Sequence, residues 1–169
     1  MESWPSDPRI GPPPGSIPIM ASDFVLKIIW GALTAATILY AIIAFILRPG
    51  PFSLEGALPD PSRPYELMFC FLALAVLAAS MFIPKLVAAG VRRQFSNVLQ
   101  PSYEDIVRWA NTPMIVLFAL RESIAIYGFV LVMMGSPAAK ILPFAIVSFV
   151  ALLFSFPSAE RLKSLFPDS

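Results

Sequence analysis

Arg121 and Glu122 stand side by side within a long apolar stretch, and they are the residues of this chain most able to do chemistry. An ionised side chain at bilayer depth costs ~2.5–3.5 kcal/mol on insertion scales, so each needs a compensating interaction. Adjacent residues on a helix point about 100° apart, which makes the two poor partners for each other and turns them toward different neighbours. Ala119, Ala125 and Phe129 share the face of Glu122, and Ala125, Gly128 and Gly135 share that of Arg121. Ala125 is common to both, so a second helix can approach closely there. Two readings stay open: a carboxylate that binds or carries a proton or sodium ion, or a polar clamp that sets helix register or recruits a partner subunit. Ser123, Tyr127 and Asn111 are candidates to extend a polar network around the pair. For Ser123 the plainer alternative is a bond back to its own helix, and for Tyr127 a place in the bundle core.

Other chemistry is scarce. The chain has no histidine and a single cysteine, Cys70. His-ligated haem, most zinc sites and histidine acid–base catalysis are thereby removed. No catalytic constellation, phosphate loop or metal-ligand spacing is present, and no cofactor is expected, although a lipid or quinone can lie between helices. The charge is close to neutral with no basic stripe, which argues against a nucleic-acid partner.

The elements that must position the pair are membrane helices. Apolar residues make up 57% of the 169 and charged residues only 14%, against roughly 25% in a typical soluble domain. They fall in blocks long enough for a ~30 Å hydrocarbon core. The expected architecture is all-α and polytopic, with four transmembrane helices over residues 23–47, 65–90, 103–134 and 139–156. Ser22 or Asp23 caps the first, Pro84 kinks the second, and Pro157 stops the fourth. Residues 1–21 form a proline-rich tail, 22–158 the transmembrane domain and 159–169 a short mixed-charge tail. Arg9, Lys27, Lys85, Arg92, Arg93, Arg108, Arg161 and Lys163 fall on one side of this topology, and Arg48, Arg63 and Lys140 on the other. That bias predicts both termini on the cytoplasmic side.

Residues 118–130, Phe-Ala-Leu-Arg-Glu-Ser-Ile-Ala-Ile-Tyr-Gly-Phe-Val, resemble the ion-carrying helix of rotary ATPase c subunits, the proteolipids. Glu122, Ile126, Tyr127 and Gly128 keep that family's order and spacing, and Arg93-Gln94 is similar to its cytoplasmic-loop Arg-Gln. The resemblance covers residues 70–135 and implies a helical hairpin with Glu122 as the ion-binding carboxylate. Arg121 lies outside the family's pattern, in which the essential arginine comes from another subunit.

Small size and short loops favour a structural or accessory subunit of a larger membrane complex. Its expected partners are lipids and other membrane subunits, copies of itself included. Its expected location is the bacterial inner membrane or an equivalent energy-transducing membrane. An ion-translocating subunit is the leading alternative, and an enzyme acting on a lipid or quinone is the weakest.

Overall fold

The computed structural model describes residues 19–50, 55–94, 103–158 and 160. Its regular structure among these residues is entirely helical: α1 (Ile19–Leu47), α2 (Pro64–Gln94), α3 (Tyr103–Met133) and α4 (Ile141–Leu153), with 3-10 turns at Glu55–Ala57 and Ala138–Lys140. Most of the proline-rich tail, and the C-terminal tail apart from residue 160, lie outside the described residues, as do the side chains of Arg92 and Arg108.

Three stretches are long and apolar enough to cross a membrane: Phe24–Leu47, Pro64–Val91 and Trp109–Met133. The fourth helix differs from expectation. Its 13 residues rise about 20 Å at 1.5 Å each, against a core of ~30 Å. The first helix begins at Ile19, upstream of the expected caps, because nothing in Ile19-Met20-Ala21 breaks a helix. Pro64 opens α2, where its missing N–H has no helical partner to lose. The helix then continues through Pro84.

The third helix is the centre of the bundle. Over an 18-residue apolar window of its membrane-length stretch 44% of the residues are buried, against 17% in each of the other two. Helices α1, α2 and α4 all pack on α3, α1 also packs on α4, and the main helical contact of α2 is α3. An apolar cluster of Leu26, Ala88, Met114, Phe118 and Leu152 fills one end. Ala73, Ile124, Leu131 and Phe144 fill the middle between α2, α3 and α4.

Two glycines of α3 and its turn have stated structural reasons. Gly135 has φ 101°, and it ends the helix with Gly135 N–H on the Val132 carbonyl (3.0 Å) and Ser136 N–H on the Leu131 carbonyl (3.1 Å). That pair of bonds is a Schellman motif, which reverses the chain into α4. At Gly128 a Cβ would fall 2.7 Å from Cβ of Phe144 and 3.0 Å from its Cγ. Those atoms sit at the root of the side chain and cannot swing away. Gly128→Ala should therefore force α3 and α4 apart and cost about 1–2 kcal/mol, as overpacking does. A lowered unfolding midpoint in detergent micelles checks this, and an unchanged midpoint would refute it.

Candidate functional site

Arg121 is buried on the α4 side of α3. Its guanidinium donates to the carbonyl of Ala151 and to Oγ of Ser155. Ser155 Oγ in turn donates to the Ala151 carbonyl at 2.7 Å, and Trp30 Nε1 of α1 donates to the Leu152 carbonyl at 2.8 Å. The Ala151 and Leu152 carbonyls belong to the last turn of α4 and carry the negative end of the helix dipole, and Leu152 also accepts the Ser155 N–H at 2.8 Å. Because α4 is short, that end falls beside the middle of α3. In hydrocarbon, every exposed carbonyl must find a donor inside the protein. Arg121, Ser155 and Trp30 supply them. The hydroxyl of Ser148 also donates to the main-chain carbonyl of Arg121 at 2.7 Å, so α3 and α4 are tied in both directions.

Glu122 turns the other way. Tyr40 of α1 donates its hydroxyl to Glu122 Oε1 at 2.9 Å, and the ring of Tyr40 lies 5.7 Å from that of Phe129. The carboxylate is half-buried. At 1.5 Å per residue it lies about 20 Å along the helix from Trp109 and about 16 Å from Met133, close to mid-span.

The residues expected to extend this pair do not gather around it. Ser123 donates back to the Leu120 carbonyl of its own helix at 2.8 Å. Tyr127 packs its ring against Phe69 of α2, 6.0 Å away, within an apolar cluster. Asn111 is ten residues, or about 15 Å, along α3 from Arg121. Helical geometry separates them: Ser123 and Tyr127, four residues apart, share the α2-facing side of α3, and Arg121 faces α4.

A second polar centre, absent from the sequence reading, closes the opposite end of α4. Glu66 is 1% exposed and Lys140 6% exposed. Lys140 Nζ meets Glu66 Oε2 at 2.7 Å and also donates to the Leu58 carbonyl. The other bonds to Glu66 come from the Asp60 amide (2.8 Å, on Oε2) and the Ser136 hydroxyl (3.1 Å, on Oε1). Arg63 stands 3.8 Å from Glu66 Oε1 and 3.6 Å from Asp60. The hydroxyl and amide of Ser62 hold the exposed Asp60 carboxyl below its ordinary range. The pair ties the loop before α2 to the turn before α4. The sequence places Lys140 at the start of the expected fourth helix, 139–156, with no partner assigned to it. The available signal was opposite charge at two helix starts on the same end of the bundle, Glu66 in the first turn of α2 and Lys140 at the N-cap of α4.

Comparison with protein-family models, with curated proteins and with solved structures finds no match to this chain at any of the three levels.

Proposed function

We propose that this chain is a small structural or accessory subunit that assembles with other membrane proteins. The observation that carries this reading is the layering of its polar groups. Arg121, Ser155 and Trp30 cap one end of α4, Ser148 ties α4 back to the Arg121 carbonyl of α3, and Glu66, Lys140 and Ser136 lock the other end. Between them lies an apolar layer containing Ile124, Leu131 and Phe144. Charges used to close helix ends on each other, with a dry layer between, suit a rigid membrane scaffold better than an internal ion pathway. The predominance of basic residues on one side supports four crossings with both termini cytoplasmic, α4 completing the last together with its flanking turns. Reporters fused to the two ends should then report the same side. Purification of the full chain from its native membrane in mild detergent should bring other membrane chains in fixed proportion. Recovery of the chain alone, monomeric and stable, would overturn the proposal.

The Tyr40–Glu122 contact favours a second reading. A mid-span carboxylate, half-buried and hydrogen-bonded to one phenol, is a candidate proton or sodium ligand. On this reading dicyclohexylcarbodiimide labels the chain at Glu122, and Glu122→Gln abolishes both the labelling and the activity of the host complex without loss of assembly. Absence of labelling across pH, with full activity of the glutamine variant, excludes it.

A further inference from the structure

A cleft of about 250 Å³ lies between α2 and α4, with α3 as its floor and residues 57–59 at one end. Its floor is the fully buried Ile124 and Leu131, and its outer edges are Leu74 (62% exposed) on α2 and Val147 (41% exposed) on α4. Those edges leave it open sideways, at the level where the membrane-length stretch Pro64–Val91 runs. Glu66 and Lys140 line its head. An ammonium has three N–H donors. Among the described residues Lys140 uses one on Glu66 and one on the Leu58 carbonyl, which leaves a third N–H.

We infer that the cleft holds one acyl chain of a membrane glycerolipid, with its ester carbonyl accepting the third N–H of Lys140. The depth selects this occupant. Glu66 is the third residue of its membrane-length stretch, so the head of the cleft lies at the edge of the hydrocarbon, where ester groups reside. Leu77, at the far end of the α2 wall, is about 16 Å deeper along the helix, close to half of a ~30 Å core and so to the depth of one leaflet. Arg63, 43% exposed beside Glu66, stands outside the cleft at headgroup level.

The test is native mass spectrometry of the full chain from micelles containing palmitoyl-oleoyl phosphatidylglycerol. One lipid per chain should persist. Leu74→Trp and Val147→Trp fill the cleft from opposite walls at exposed positions, and each should reduce retention about tenfold. Val150→Trp, equally exposed on α4 but outside the cleft, should retain the lipid. An ether-linked analogue without the carbonyls should be held about threefold to tenfold less well by the unaltered chain, the loss of one hydrogen bond. Equal retention by all variants would show annular lipid only and overturn the site. Equal retention of ester and ether lipid would overturn the role of Lys140. Preference for an isoprenoid quinone, when both are supplied, would overturn the choice of occupant.

Discussion

Lys140→Met is expected to destabilise the folded chain by about 3–5 kcal/mol, the loss that follows when one partner of a buried ion pair is removed. Glu66 is 1% exposed, and without the ammonium its carboxylate keeps the Asp60 amide, the Ser136 hydroxyl and the half-exposed Arg63 at 3.8 Å, none of which replaces the 2.7 Å contact with Lys140. Methionine keeps the length of the stem, so packing changes little and the effect isolates the charge. The single variant should unfold at much lower denaturant in mixed micelles, followed by circular dichroism. Replacing both partners, Glu66→Leu with Lys140→Met, should recover most of the loss, because two apolar groups leave no buried charge. A single variant as stable as the parent would show that the pair is hydrated in the membrane and does not hold the turn before α4 to α2.

Arg121→Met is expected to cost about 3 kcal/mol through the loss of two charge-assisted hydrogen bonds at a helix C-terminus. The location of the damage matters more than its size. Ala151 retains the Ser155 hydroxyl and Leu152 retains the Trp30 indole, so α4 should fray from its C-terminal end and not detach. Amide hydrogen exchange should rise at residues 150–156 and stay slow near Lys140. Arg121→Lys should recover part of the stability, since it keeps a cation whose one nitrogen can donate to both acceptors but loses the planar guanidinium. If exchange instead rises evenly along the bundle, Arg121 is not a local cap. If stability is unchanged, burial of its charge offsets its bonds entirely.

These two expectations separate Arg121 from Glu122. Read as neighbours they suggest a single functional pair. In the folded chain they serve different helices: Arg121 caps α4, and Glu122 accepts from Tyr40 on α1. The proteolipid resemblance rests on Glu122, Ile126, Tyr127 and Gly128, and here these four face different surroundings. Gly128 admits Phe144 of α4, Tyr127 packs on Phe69 of α2, and Ile126 is exposed.

The amino-acid sequence by itself determined that the chain is helical, and that three of its helices can cross a membrane, because length and hydropathy of a continuous apolar run are local properties. It also located the turn at Gly135-Ser136-Pro137, since a left-handed residue before a proline leaves few alternatives. Helix α4 exceeded what local pattern can decide. Apart from Ser155, the residues up to Phe156 remain apolar and Pro157 is the first strong stop, yet the helix ends at Leu153. Its last carbonyls are taken by Arg121, Trp30 and Ser155, two of which come from other helices. Only the packing of α3 against α4 gives Arg121 its partner, and only the meeting of two helix starts turns Glu66 and Lys140 from unassigned charges into a buried pair. A charge is a local fact of sequence, whereas its partner is set by the distance between helices that are far apart along the chain.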